Sequence, residues 1–133
     1  MEILNKRHFY HNSFIIFGHR GVPELYSENT LESFNCAIDL NYDGVELDIM
    51  LTKDQQIIVH HDLILRLKDK EREVLNLNYK EIKKKIPSIL TLEEILRSIG
   101  HKTNINIEIK DQKKHSLYVA EQVVQILKNF NFF

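Results

Sequence analysis

The sequence predicts an α/β fold in which helices cover a parallel sheet, and three observations support this prediction. The apolar run at residues 14–17 is typical of a short buried strand, and residues 45–49 alternate apolar and acidic side chains with the period-two pattern of a second strand. A helix signal with an apolar stripe lies between them. Strand, helix and strand within about 35 residues form a βαβ unit, whose two strands run parallel.

The composition fits a single domain and argues against several classes of partner. The chain has 133 residues, which is enough to bury a core. With 18 Lys and Arg against 19 Asp and Glu, the formal net charge is −1, which gives no electrostatic basis for binding nucleic acid or an acidic membrane surface. Because Cys36 is the single cysteine, an intramolecular disulfide is excluded.

The sequence carries no recognisable targeting or membrane-spanning segment. Its longest apolar run is far shorter than the roughly 18 residues of a membrane-spanning helix, and the apolar run after the polar residues 1–13 is too short for the core of a signal peptide. We therefore expect a cytoplasmic chain. Residues 1–13 are expected to form a partly ordered N-terminal arm that leaves His8 and His11 in solvent.

The first strand ends at a loop that holds two candidate site residues. Glycines and a proline surround His19 and Arg20, so these side chains are expected at the carboxyl end of the strand. After this loop, Asn29 and Glu32 have the spacing of a capping box at the start of the first helix. That helix is expected to end near Asn41.

The second strand presents two carboxylates on one face. Glu46 and Asp48 share that face, while Val45, Leu47 and Ile49 share the other. Two like charges on one strand face repel each other and are costly to bury, so a folded protein needs water, a cation or a basic partner beside them. A hard divalent cation meets that need.

A polar turn joins the second strand to a third. Residues 52–56 are polar and an apolar strand resumes after them, and so short a connection implies an antiparallel hairpin. A turn centred on Asp54 and Gln55 places His61 roughly opposite Asp48, although a slip of one or two residues stays open.

Beyond the hairpin, the pattern predicts charged surface and a short helix. The charged runs at residues 66–73 and 83–85 are typical of solvated surface. Asn78 and Glu81 have the spacing that caps a short helix, which Pro87 would end.

Two further helices have clear signals. Thr91-Leu92-Glu93-Glu94 is a capping box before an apolar stripe, and Gly100 is the stop signal of that helix. The last helix is expected at about residues 115–129, where apolar residues at helical spacing indicate a core face.

The segment at residues 105–110 repeats the pattern of the second strand. Its three isoleucines face one way, while Glu108 and Lys110 face the other. If the isoleucines pack under the helices, Glu108 reaches the face that carries Glu46 and Asp48. A third carboxylate suits an oxygen-rich site for Mg²⁺ or Ca²⁺, and Lys110 would supply a point charge for an anionic substrate.

Each of these signals is weak by itself. A Glu-x-Asp pair on a strand is more often a solvated edge than a metal site, and a lone histidine is usually a surface residue or a satisfied core residue. Their combination supplies two imidazoles for proton transfer, three carboxylates for a cation and two basic groups for phosphate oxygens. In chain order, these residues are His19, Arg20, Glu46, Asp48, His61, Glu108 and Lys110.

The chain resembles the glycerophosphodiester phosphodiesterase family over roughly residues 14–128, with the family's motifs in the family's order. The motifs that carry the resemblance are Gly18-His19-Arg20-Gly21, Glu28-Asn29-Thr30-Leu31, Gly44-Val45-Glu46-Leu47-Asp48, Thr52-Lys53-Asp54, Val59-His60-His61-Asp62, Ile86-Pro87 with Thr91-Leu92-Glu93-Glu94, and Ile107-Glu108-Ile109-Lys110.

The resemblance implies a fold, an activity and a role for each site residue. The fold is a partial TIM (β/α) barrel of the phospholipase-C-like phosphodiesterase type, with about three βα units and a β-hairpin. The activity is hydrolysis of glycerophosphodiesters to an alcohol and glycerol 3-phosphate with Mg²⁺ or Ca²⁺. The implied roles are acid and base for His19 and His61, phosphate binding for Arg20 and Lys110, and metal binding for Glu46, Asp48 and Glu108. His60 does not align with the catalytic histidine, because the family sets that residue directly before the aspartate, here Asp62.

The chain departs from the family in length. A TIM barrel takes about 250 residues, so residues 14–133 are expected to form the N-terminal part of an incomplete domain. An open piece of barrel exposes a sheet edge, which predicts self-association or a second chain that completes the barrel. Two alternatives stay open: another phospholipase-C-like phosphodiesterase that acts on lipid head groups, and a non-catalytic fragment or interaction module that needs a second chain.

Overall fold

The computed structural model describes residues 14–68 and 70–132 of the chain. The predicted N-terminal arm at residues 1–13, with His8 and His11, lies outside the described residues. No helix in these two described stretches is long and apolar enough to cross a bilayer.

Strands and helices alternate through most of the described residues. The strands are β1 (Phe17–His19), β2 (Gly44–Leu51), β3 (Ile57–Val59), β4 (Ile64–Leu67), β5 (Lys70–Glu73) and β6 (Asn104–Ile109). The α-helices are α1 (Leu31–Asp39), α2 (Tyr79–Lys85), α3 (Leu92–Ile99) and α4 (Ser116–Asn129), and short 3-10 helices lie at Val74–Asn76 and Lys113–His115.

Strand β2 is the centre of a four-stranded sheet. It pairs in parallel with β1 along one edge and with β6 along the other, as the βαβ pattern predicts. Strand β3 returns antiparallel and continues the β1 edge, since Ile49 pairs with Val59 on that side and with Ile109 on the other. The buried side chain of Gln112 extends the β6 edge by hydrogen bonding to both backbone groups of Leu51.

The register of the β2–β3 hairpin differs by one residue from the predicted one. The turn holds five residues between Leu51 and Ile57, and the Thr52 N–H donates to the Gln56 carbonyl across it. Its centre is therefore Asp54 alone. As a result His60, and not His61, lies opposite Asp48, and its N–H donates to the Asp48 carbonyl at 3.0 Å.

One face of the sheet is packed under three helices. Side chains from α1, α3 and α4 cover the apolar face of β2 and form the main core. Its fully buried members include Phe34, Val45, Leu47, Ile49, Leu92, Ile95 and Ile99. This burial explains why the apolar residues of β2 occupy every second position, because alternate side chains of a strand face the same layer.

The other face carries the carboxylates at one end and a second apolar cluster at the other. Met50 and Ile58 are buried under the β4–β5 hairpin and α2. This hairpin falls in the run predicted as charged surface. Every residue of β5 is exposed, as predicted, but the strand pairing was missed because charged side chains hide the alternation on which a strand prediction rests.

The helix starts agree with the capping signals at α2 and α3. Glu81 accepts the Asn78 N–H at 2.9 Å, and Thr91 and Glu94 form the predicted capping box of α3. The predicted cap of α1 is wrong by one residue, because Thr30, and not Asn29, caps that helix.

The sheet does not close on itself. Within the described residues, β1 and β6 each pair with β2 alone, so the four strands form an open, partly parallel sheet with α1, α3 and α4 on one face and α2 on part of the other. This is the partial α/β barrel that the sequence predicts.

Candidate active site

Three carboxylates meet on the face of the sheet opposite α1, α3 and α4. Glu46 and Asp48 point from β2, and the pairing of Asp48 with Glu108 brings β6 alongside. One ligand oxygen from each of the three lies within 4.8 Å of the others. Asp48 is completely buried and Glu46 is 8% exposed, whereas Glu108 is exposed. The predicted metal-binding residues are therefore together in space.

In each of the two buried carboxylates, one oxygen accepts a hydrogen bond from the protein and the other accepts none. Oε2 of Glu46 accepts the Arg20 N–H at 3.1 Å, and Oδ2 of Asp48 accepts from the Asn29 amide at 2.9 Å. Oε1 of Glu46 and Oδ1 of Asp48 are buried and accept no hydrogen bond from the described residues, although Nζ of Lys110 lies 3.4 Å from Oδ1. Such orphaned oxygens are costly to bury, and they are the ligands that Mg²⁺ and Ca²⁺ prefer. The donor set therefore fits a hard divalent cation.

The protonation of Glu46 reflects this environment. Burial raises the pKa of the Glu46 carboxyl, and the neighbouring charge of Asp48 raises it further, while the hydrogen bond from Arg20 acts in the opposite direction. A positive ion at the site would reverse the dominant effect, because an opposite charge favours the ionised form.

The two predicted phosphate-binding cations flank Asp48. Nε of Arg20 lies 3.1 Å from Oδ2, and Nζ of Lys110 lies 3.4 Å from Oδ1. Arg20 also donates to Glu28 at 3.0 Å, and Lys110 to Glu108 at 2.9 Å. Burial alone would lower the pKa of Arg20, but the hydrogen bond to Glu28 and the surrounding carboxylates raise it. The hydrogen bond to Glu108 is the largest cause of the raised pKa of Lys110.

The two predicted catalytic histidines lie at different depths. His19 ends β1, its side chain is 68% exposed, and its Nε2 is 3.9 Å from Oε2 of Glu46. His61 is less exposed and its Nδ1 is 2.8 Å from Asp62, whose pKa this hydrogen bond lowers. A carboxylate on one ring nitrogen fixes the orientation of the ring and leaves the other nitrogen for chemistry.

A third histidine lies beside the site. The side chain of His60 is largely buried, its Nε2 has no hydrogen-bond donor or acceptor among the described residues, and burial lowers its pKa. Burial therefore favours the neutral form of this imidazole.

The loop between β1 and α1 is built around the site, and its key residue was missed from the sequence. Asn29 is 4% exposed, has a φ of 57°, and bonds to both the side chain and the backbone N–H of Asp48. Its position one residue before a threonine that can cap the helix was the available signal, since asparagine tolerates the left-handed region.

The same loop is tied to the first turn of α1. The Ser33 hydroxyl accepts the Val22 N–H at 2.7 Å and donates to the Arg20 carbonyl at 3.2 Å. Gly21 has a φ of 91°, and a Cβ atom there would lie 2.2 Å from this hydroxyl. Glycine is therefore required for the loop to approach the helix, and the approach holds Arg20 beside the carboxylates.

The described residues bring together a carboxylate cluster that could hold a cation, two cationic side chains and the imidazole of His19, while the imidazole of His61 is hydrogen-bonded to Asp62. These are the components of metal-assisted hydrolysis at an anionic centre, in which one imidazole removes a proton and another donates one.

Comparison with known proteins agrees with this chemistry. The sequence model of the Glycerophosphoryl diester phosphodiesterase family matches residues 19–132. A glycerophosphodiester phosphodiesterase of Caldanaerobacter subterraneus is 34% identical over 134 residues, which cover 89% of this chain and 54% of that protein. An uncharacterized protein of Mycoplasma genitalium is 35% identical over 133 residues, covering 90% of this chain and 54% of its own length.

Solved structures give the same result. The glycerophosphodiester phosphodiesterase of Thermotoga maritima is 37% identical with a TM-score of 0.75, and the match covers 90% of this chain and 52% of that one. A phosphodiesterase of Oleispira antarctica, solved with the product sn-glycerol-3-phosphate, is 26% identical with a TM-score of 0.75, covering 86% and 52%. The chain thus spans about half the length of the relatives it matches.

Proposed function

Because the chain belongs to the glycerophosphoryl diester phosphodiesterase family over residues 19–132, we propose that it carries a metal-dependent site for hydrolysing glycerophosphodiesters to an alcohol and glycerol 3-phosphate. The observation that carries this proposal is the convergence of Glu46, Asp48 and Glu108 within 4.8 Å. The product bound by the Oleispira antarctica relative supports the choice of glycerol 3-phosphate.

Glu46, Asp48 and Glu108 would hold the cation, either Mg²⁺ or Ca²⁺. When bound, such an ion polarises a phosphoryl oxygen and stabilises negative charge at phosphorus. Oε1 of Glu46 and Oδ1 of Asp48 support this assignment, because neither accepts a hydrogen bond from the described residues and only Oδ1 has a cationic group nearby, Lys110 Nζ at 3.4 Å.

Arg20 and Lys110 would bind the phosphate. The two cationic groups lie on opposite oxygens of the same Asp48 carboxylate, at 3.1 and 3.4 Å, so a phosphate beside that carboxylate is within reach of both. Both groups are cationic near neutral pH at their ordinary pKa values, and the neighbouring carboxylates raise those pKa values further. Charge-assisted hydrogen bonds from these groups would orient the phosphorus and neutralise the charge that develops on its oxygens.

His19 and His61 would move the protons. One imidazole takes the proton of the attacking hydroxyl as the new phosphorus–oxygen bond forms. Attack by water would give glycerol 3-phosphate directly, whereas attack by the substrate's glycerol hydroxyl would give a cyclic phosphate that water then opens to glycerol 3-phosphate. The other imidazole gives a proton to the alcohol oxygen as its bond to phosphorus breaks. Asp62 supports this role at His61 because its carboxylate orients the ring at 2.8 Å.

The barrel would be completed outside this chain segment. We propose that residues 14–133 form the N-terminal part of a phosphodiesterase domain. A second copy or another chain would pair with the edge of β6 that faces away from β2, because that edge has no partner among the described residues. Sedimentation checks this, because a compact monomer that unfolds cooperatively would argue against any need for a partner.

Glycerol 3-phosphate release from glycerophosphocholine and glycerophosphoethanolamine tests the activity. The purified chain is assayed with Mg²⁺, Ca²⁺ or EDTA beside His19→Ala, and His101→Ala is the control because His101 stacks on Phe132 instead of facing the carboxylates. We expect metal-dependent release that His19→Ala lowers by at least about 100-fold and the control does not. Release of phosphocholine in place of glycerol 3-phosphate would indicate a lipid head-group phosphodiesterase.

A further inference from the structure

We propose that Asn29 is a positioning residue that fixes the orientation of the Asp48 carboxylate toward the cation. This role rests on the proposed cation site, and it adds a residue that contacts neither the ion nor the phosphate. The evidence is a pair of hydrogen bonds that join the buried Asn29 amide to the Asp48 carboxylate and to the Asp48 backbone N–H.

The two bonds fix both partners. The Asn29 amide nitrogen donates to Oδ2 of Asp48 at 2.9 Å, and the amide oxygen accepts the Asp48 backbone N–H at 3.3 Å. Because one end of the amide must donate and the other must accept, a flipped amide would lose both bonds. The Asn29 amide therefore fixes the orientation of the Asp48 carboxylate relative to the Asp48 backbone.

Asn29 is itself held rigidly. Its N–H donates to the Arg20 carbonyl at 3.0 Å, and Thr30 begins α1 directly after it. Its φ of 57° lies in the left-handed region, which asparagine tolerates better than most residues. The loop and the start of α1 therefore hold the Asn29 side chain in place beside Asp48.

The consequence is an asymmetry in the carboxylate. Oδ2 receives the Asn29 amide and lies 3.1 Å from Arg20 Nε, whereas Oδ1 makes no hydrogen bond and has Nζ of Lys110 3.4 Å away. The terminal torsion of aspartate is broad, so a carboxylate without this contact would rotate more freely about its Cβ–Cγ bond. Groups that orient metal ligands typically change metal affinity by about 10- to 100-fold when removed.

The test is Mn²⁺ binding by the purified chain, measured by electron paramagnetic resonance of the free and bound ion. Asn29→Gly keeps the left-handed backbone accessible but removes the amide, and Asn29→Ser is a second variant in case the first fails to fold. Asn41 supplies the matched controls, Asn41→Gly and Asn41→Ser, because it is an exposed asparagine with a φ of 59° at the end of α1. Circular dichroism in EDTA establishes that each variant is folded.

We expect the folded Asn29 variants to bind Mn²⁺ about 10- to 100-fold more weakly, with an altered spectrum of the bound ion, while the Asn41 variants match the wild type. Folded Asn29 variants with wild-type affinity and spectrum would overturn the positioning role and leave the cation site standing. A folded wild-type chain that binds no Mn²⁺ would overturn the cation site, and the positioning role with it.

Discussion

Replacing Gln112 by alanine is expected to destabilise the chain strongly although the residue lies outside any regular element. Its Oε1 accepts the Leu51 N–H at 2.7 Å and its Nε2 donates to the Leu51 carbonyl at 2.9 Å, both in a buried position. Alanine would leave both backbone groups without a partner. A buried unsatisfied group costs about 1–3 kcal/mol, so the free energy of unfolding should fall by roughly 2–6 kcal/mol, out of the 5–15 kcal/mol typical of a domain.

Urea unfolding followed by circular dichroism, at one fixed protein concentration, measures this loss. With a typical slope of about 1–3 kcal/mol/M, the midpoint should fall by roughly 1 M or more. Gln125→Ala is the matched control, since Gln125 is exposed on α4 and its change should stay within about 0.5 kcal/mol. A Gln112→Ala midpoint within about 0.2 M of the wild type would refute the view that this side chain acts as the last pairing partner of β2.

Three further predictions follow from the contacts around the site and the hairpin. Gly21→Ala should lower the free energy of unfolding by at least about 2 kcal/mol in the same urea experiment, because the φ of Gly21 is 91° and the new Cβ would meet the Ser33 hydroxyl. An unchanged urea midpoint would contradict this prediction. Partial burial raises the pKa of Asp54, but the hydrogen bonds that its carboxylate accepts from Thr52 and from the Tyr79 N–H lower the pKa overall. These bonds therefore stabilise the folded chain above the ordinary pKa of the carboxyl, and this stabilisation is lost as the pH falls through the lowered pKa. Asp54→Asn should therefore flatten the drop in Tm between pH 7 and pH 3, and an equally steep drop would count against the assignment. Because burial raises the pKa of Glu46, the folded chain without metal loses stability as pH rises through that pKa. Glu46→Gln should therefore raise Tm in EDTA at pH 7 by about 2–5 °C and remove any stabilisation by Mg²⁺ or Ca²⁺, whereas a lower Tm in EDTA would contradict this.

The parts of the fold set by local periodicity could be predicted. The alternation at β2 and β6 separated the carboxylate face from the apolar face, because a strand reverses its side chains at every residue whatever its neighbours are. The capping box at Thr91 identified α3, because its hydrogen bonds form within four residues. The alternation also predicted that Glu108 lies close to Asp48, because both residues were assigned to the same face of neighbouring strands.

The errors arose where a single residue or a distant contact decides the outcome. The hairpin register depends on whether the turn holds four or five residues, and a shift of one exchanged His60 for His61 opposite Asp48. Asn29 has the chemistry of a helix cap, and only the packing of the loop against β2 directs its amide to Asp48 instead.

The central position of β2 also has a consequence for the order in which the chain folds. The partners β1 and β3 lie close to β2 in sequence, but Gly44 of β2 pairs with Asn104 of β6, 60 residues further along. Closing so long a loop is slow relative to the local pairings, so we expect β6 to dock last. Glu108 would then reach Glu46 and Asp48 only after the folding transition state. A cation that needs all three carboxylates should therefore slow unfolding and leave the folding rate nearly unchanged.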